Sequence, residues 1–225
     1  MPGSRNSGLL ALGGIALAAL LAVVGHLGVD GLDPWSLTIS DYAVSDRGGA
    51  IDAAMVVLAV ASALLIAPLS ATPSTSGGGA PSEPRAGLVG VLLVTWVGGL
   101  LLAAAVPTNE PGLPMDTAAY VHRYASVAAF LALPVAGWSI AGRLPAGATS
   151  RWLRRLVIAS VALAAAMVWS AYPGDRMLLG LIERLLILIE VGLLATVALQ
   201  LTRTAPAVWS AAGTERRHSS SCSIS

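Results

Sequence analysis

Six long apolar runs alternate with polar segments along the chain, covering residues 8–28, 51–69, 87–106, 120–141, 156–172 and 177–201. They hold 17 to 25 residues each, the length at which a helix crosses a hydrocarbon core of roughly 30 Å. The pattern predicts an all-α, polytopic integral membrane protein, a six-transmembrane-helix bundle between a short N-terminus (1–7) and a polar tail (202–225). The first run follows a polar start carrying Arg5. It is too long for a signal peptide, and no small-x-small cleavage site precedes the next polar segment, so it reads as a span.

The polar segments differ in kind. Residues 29–50 form a loop without an obvious helix, carrying Asp30, Asp33, Asp41, Asp46 and Arg47. Its Trp35, Leu37, Ile39 and Tyr42 suit a packed or interface-lying segment. Residues 70–85 are Ser, Thr, Gly and Pro rich and read as a flexible linker. The stretch from Val106 to Asp116 sets three prolines, Pro107, Pro111 and Pro114, within eight residues, which forbids a continuous helix. Asp116 or Thr117 then offers an N-cap for the fourth span, with His122 and Arg123 close behind. Pro173 to Arg176 reads as a tight turn.

Composition sharpens the class. The chain is 56% hydrophobic and 11% charged, against roughly 25% charged for soluble domains. A net charge of +1 with no basic stripe gives no sign of nucleic-acid binding. The single Cys222, in the tail, allows no disulfide framework and no cysteine metal site. All thirteen basic residues are Arg, and nine of them (Arg5, Arg85, Arg143, Arg151, Arg154, Arg155, Arg203, Arg216 and Arg217) fall on the side of the termini. The positive-inside rule therefore predicts a cell-membrane protein with both termini cytoplasmic. Nine of the twelve acids fall on the outer loops or outer halves of spans.

Ionisable residues inside spans cost a few kcal/mol each and mark function or a buried pair. Here they are His122–Arg123 in the fourth span, and Glu183–Arg184 and Glu190 in the sixth. One account is structural: ion pairs of Arg123 with Glu183, or of Arg184 with Asp116, joining helices, and a protonated, hydrogen-bonded Glu190. The functional account rests on His122, which shares the outer side with Asp41, Asp46, Asn109, Glu110, Asp116 and Glu183, an arrangement suited to acid–base work. A metal held by His26 and His122 has little behind it, since no ligand-spaced motif occurs. Ser40–Asp41, Ser45–Asp46 and His122 contain the elements of a Ser-His-Asp triad, but nothing in the spacing requires one.

The segments Thr38-Ile39-Ser40-Asp41-Tyr42-Ala43, Val106-Pro107-Thr108-Asn109, Tyr120-Val121-His122 and Gly180-Leu181-Ile182-Glu183-Arg184-Leu185 together resemble a known family. It is the six-span bacterial family catalogued as domain of unknown function number 998. The resemblance covers roughly Leu9 to Leu201 and implies the six-span fold and this residue set. It carries no established activity. Asn109 departs from the family, where a carboxylate is more usual, and this weakens a catalytic role at that position.

The expected site is an outward-facing polar pocket. Asp41, His122 and Glu183 are its candidate catalytic groups, and Ser40, Tyr42, Asn109, Arg123 and Arg184 its substrate-binding groups. No metal site is expected, and no cofactor is identified. The leading expectation is a membrane enzyme acting on a lipid or isoprenoid substrate. Its competitors are a small transporter or permeation subunit, with Glu183 and Glu190 as steps on a path, and a non-catalytic accessory protein. The expected partners are the lipid bilayer and that substrate.

Overall fold

The computed structural model describes residues 2–27, 33–44, 49–70, 83–110 and 113–204. Asp30, Asp46, Arg47, Pro111, most of the linker and the tail from position 205, including Cys222, lie outside the described residues. The elements are α1 (Pro2–Leu27), α2 (Ile39–Ala43), α3 (Gly49–Ser70), α4 (Glu83–Ala105), α5 (Thr117–Ala141), α6 (Ala148–Ala171) and α7 (Leu179–Thr204). All but α2 are long and apolar enough to cross a membrane. In hydrocarbon every backbone N–H and C=O must be satisfied internally, which a helix of this length does.

The six long helices pack in a ring in chain order: α1 on α3, α3 on α4, α4 on α5, α5 on α6, α6 on α7, and α7 back on α1. One large apolar side chain from the middle of each, Leu20, Val60, Val94, Leu131, Ile158 and Leu188, is between 56% and 65% exposed. Such a girdle would aggregate in water and is what lipid requires. Exposed aromatics mark its two edges: Trp35, Tyr120, Tyr124, Trp169 and Tyr172 at the end bearing α2, Trp138 and Trp152 at the other. Such aromatic belts sit at headgroup level in membrane proteins. At the second edge the Arg154 guanidinium lies 5.6 Å from the Trp138 ring. The chain is a multi-pass membrane protein.

Close packing, rather than transfer of apolar surface out of water, holds such helices together. A Cβ on Gly99 would lie 2.7 Å from the Ala125 carbonyl oxygen, so α4 meets α5 backbone to backbone. Trp96 of α4 is buried and donates its indole N–H to Ser62 Oγ of α3 at 3.0 Å. Ser62 in turn donates to the Leu58 carbonyl at 2.7 Å, so this polar pair is satisfied in an apolar interior.

The stretch read as a helix-free loop contains a helix. Thr38 and Asp41 form a reciprocal capping box around α2: Thr38 N–H donates to Asp41 Oδ2 at 2.7 Å, and Asp41 N–H donates to Thr38 Oγ1 at 3.2 Å. A capping box satisfies two orphan donors at once and sustains this single turn. At α5, Asp116 is the N-cap, accepting from Ala119 N–H at 2.8 Å. Between α6 and α7 the turn places Asp175, Arg176 and Leu178 at positive φ (48°, 61° and 57°), a conformation that disfavours branched side chains.

Candidate functional site

The α2 end of the ring gathers four chain segments onto one cluster, and in each a local rule frees the group that takes part. The helical run of α4 stops at Ala105 because Pro107 disfavours helical geometry at the residue before it and has no N–H to offer. The Val106 carbonyl is therefore left for a side chain. His122, 5% exposed on α5, places Nδ1 2.8 Å from that oxygen and Nε2 3.0 Å from Ser40 Oγ. A carbonyl only accepts, so Nδ1 carries a proton, and in the neutral ring the Nε2 lone pair faces the serine hydroxyl.

Ser40 stands between two other anchors in α2. Ile39 N–H, a first-turn donor with no partner inside the helix, donates to Glu183 Oε2 at 2.5 Å. Asp41 Oδ2, besides closing the capping box, lies 3.3 Å from Arg176 Nη2. Three consecutive residues thus tie α7, α5 and the α6–α7 turn together.

Gly180 explains how the loop before α2 reaches α7. A Cβ there would collide with the Leu37 carbonyl oxygen and lie 2.7 Å from that of Pro34. With glycine present, the loop crosses the start of α7, and Gly180 N–H donates to the Trp35 carbonyl at 3.0 Å. Arg184, one turn on, collects the carbonyls turned its way: Nη1 lies 3.0 Å from Pro34 O, 2.8 Å from Leu37 O and 2.8 Å from Gly180 O. Its guanidinium sits 5.1 Å from the Tyr42 ring, and the His26 imidazole stacks on that ring at 4.9 Å. The loop is braced at its start by Asp33, which accepts from the Ser36 hydroxyl at 2.5 Å and from Trp35 N–H at 3.0 Å. Those donors, the Ser36 hydroxyl first, hold the Asp33 carboxyl below its ordinary range.

Beneath the cluster lies a cavity of about 480 Å³ between α1, α3, α4, α5 and α7. Ser40, Glu183, Arg184 and His26 stand at its head; Ile15, Leu58, Trp96, Phe130 and Val191 are among the apolar residues of its body. From His26 to Ile15 along α1 it runs about 16 Å, at 1.5 Å per residue. Two buried atoms of lining residues have no hydrogen-bond partner, His26 Nε2 and Arg184 Nη2. His26 Nδ1 is 2.7 Å from the Ala22 carbonyl, so in the neutral ring its unpaired Nε2 is an acceptor. His122 is not on the cavity wall and stands behind Ser40.

A family profile described as "Protein of unknown function (DUF998)" matches residues 12–200. The chain belongs to this family. No curated protein and no solved structure matches it. The matched segment contains every residue of the cluster.

Not every expected residue of this DUF998 protein joins the cluster. Asn109 donates its amide to the Glu110 carbonyl at 3.1 Å and the Leu113 carbonyl at 2.8 Å, which closes the Pro-rich loop on itself. Arg123 is exposed one residue beyond His122. Neither ion pair considered from the sequence forms: Glu183 takes a backbone N–H, Asp116 caps α5, and Arg184 takes carbonyls. Glu190, seven residues after Glu183, is fully buried against α6, where Ser160 donates to Oε1 at 3.0 Å. Among the described residues no group of three or more His, Cys, Asp or Glu is placed to hold a metal.

Sequence reasoning missed several contributors. Ile39 N–H and the Val106 carbonyl are backbone groups, which residue type does not advertise. Asp52, in the first turn of α3, is within Coulombic reach of His122 and was not singled out among the acids. The Thr-x-x-Asp pattern at Thr38 was the available signal for α2.

Proposed function

We propose that this protein is a membrane enzyme that takes the apolar tail of a lipid or isoprenoid substrate into the cavity and acts on its polar head at the α2 end. The observation that carries this reading is the junction itself: an apolar space about the length of half a bilayer opens directly onto Ser40, Glu183 and Arg184. His122 is the acid–base group, with Glu183 as the carboxyl at the cavity head. Asp41 contributes by holding α2 and Arg176 in place. Arg184, charged and carrying an unpartnered Nη2, together with Tyr42 would receive an anionic or carbonyl oxygen of the head. Asn109 and Arg123, placed elsewhere, have no part in this version of the site.

The Arg distribution supports an orientation with the site on the extracytoplasmic face. Arg5, Arg143, Arg151, Arg154, Arg155 and Arg203 belong to the end opposite α2, which positive-inside bias assigns to the cytoplasm. A transport path has less support. Below its head the cavity wall is apolar apart from Ser126 and does not include Glu190, so no continuous polar relay links Glu183 to Glu190 among the described residues.

The test is mass spectrometry of lipid extracts from cells expressing wild type, His122→Ala or Glu183→Gln at matched membrane abundance. A lipid species altered by wild type and restored in both variants is the expected result. Identical lipid profiles in all three would overturn the reading and make the cluster structural.

A further inference from the structure

Resting on that reading, we infer that Ser40 is a covalent nucleophile activated by His122, and that the substrate is a long-chain carboxylic ester whose acyl chain lies in the cavity. A serine hydroxyl is weak until a base within hydrogen-bond reach takes its proton, and the base is effective when a third group fixes its tautomer. Both relations are present: Ser40 Oγ to His122 Nε2 at 3.0 Å, and His122 Nδ1–H to the Val106 carbonyl at 2.8 Å. The orienting group is a main-chain carbonyl made available by Pro107, in place of a carboxylate. Ser40 lines the cavity and meets the His122 ring, whereas Ser126, a second lining serine, donates to the His122 main-chain carbonyl at 3.0 Å.

The chemistry balances without any cofactor. Ser40 Oγ bonds to the ester carbonyl carbon as His122 Nε2 takes the hydroxyl proton. The ester C–O bond then breaks, and the leaving alkoxide takes that proton from His122 and departs as an alcohol. Water repeats the sequence on acyl-Ser40: its proton passes through Nε2 to the departing Ser40 oxygen, and a carboxylic acid is released. Arg184 lines the same cavity, and its unpartnered Nη2 supplies a charged donor for the carbonyl oxygen as negative charge develops there. The apolar walls dictate the substrate class, since nothing along α1 below His26 would recognise a polar acyl group.

The experiment treats membranes containing the full chain with a fluorophosphonate bearing a long alkyl chain and an affinity tag. Wild type is expected to carry the phosphonate on Ser40, located by peptide mass spectrometry, and Ser40→Ala to carry none. His122→Gln should slow labelling by about 10² to 10⁴, the usual worth of a positioned base. Ser139→Ala, altering a half-buried serine on the far half of α5 and away from the cavity, should label as wild type does. Ser40→Cys keeps a nucleophile of similar size and guards against a folding artefact, because a correctly folded variant should react with an alkyl-chain haloacetamide at position 40. Labelling equal in wild type and Ser40→Ala, or no labelling of a well-folded wild type, overturns the inference. A photoreactive fatty acyl probe run alongside separates the two readings. Cross-linking inside the cavity without phosphonylation sinks the nucleophile and leaves the lipid site standing; loss of both sinks both.

Discussion

Glu183 and Glu190 are the same residue type on one helix, seven positions apart and both buried, yet their surroundings give them opposite meanings. Glu183 stands at the head of a cavity and accepts from the free first-turn N–H of α2. Glu190 is sealed between α6 and α7 with one serine as its hydrogen-bond partner and its second oxygen unpaired. A buried carboxyl in a span thus identifies neither a site nor a structural link by itself. The groups that face it decide, and for Glu183 those come from a segment about 140 positions away in the chain.

Substitutions around Glu183 should disturb both stability and the site, whereas those around Glu190 should not. The largest effect is expected at Gly180→Val, which forces a branched side chain against the Pro34 and Leu37 carbonyls. Overpacking of this kind costs about 1 to 3 kcal/mol, and the displaced loop would take Arg184 and Ser40 out of register. Thermal unfolding in detergent, read alongside phosphonate labelling, should show both losses together.

Glu183→Ala comes next, because it leaves the Ile39 N–H buried and unpaired at a cost of about 1 to 3 kcal/mol. Glu183→Gln keeps an acceptor for that N–H, so it should unfold close to wild type while its lipid product disappears. Equal destabilisation by the two would place Glu183 in a purely electrostatic role. Asp41→Ala removes one half of the capping box and the partner of Arg176, and should cost about 0.5 to 2 kcal/mol. Glu190→Leu is expected to be neutral or stabilising, since an apolar side chain ends the desolvation of a half-paired carboxyl and Ser160 is then free to bond within its own helix. A large loss on Glu190→Leu would break the contrast.

The smallest effect concerns pH. The Asp33 carboxyl lies below its ordinary value near 3.8, so its contribution to the loop is complete above that value and is lost as pH falls through the lowered one. Wild type and Asp33→Asn should therefore differ in unfolding at neutral pH and converge only in strong acid.

Much of this was legible in the sequence. The apolar runs gave six membrane helices because hydrocarbon thickness fixes their length, and the motifs at Ser40, His122, Glu183 and Arg184 drew attention to residues that do meet. What stayed hidden is which partner each one chose. Arg184 was weighed against Asp116 as an ion pair, but Gly180 lets backbone carbonyls approach, and they satisfy the guanidinium instead. Asn109 and Arg123 share a side of the membrane with the cluster without sharing its space, a distinction that sequence position does not make. The cavity was also invisible, because its apolar walls read the same as any packed core.

The central claim is that this cavity holds a lipid tail beneath a reactive head. Photo-cross-linking with a diazirine-tagged fatty acyl chain in native membranes, mapped by peptide mass spectrometry, tests it most directly. Adducts concentrated on Met55, Trp96 and Phe130, and competed away by excess unlabelled long-chain ester, are the predicted result. Adducts spread over outward-facing positions such as Val135, Ile158 and Val161, with none on the cavity walls, would contradict the account.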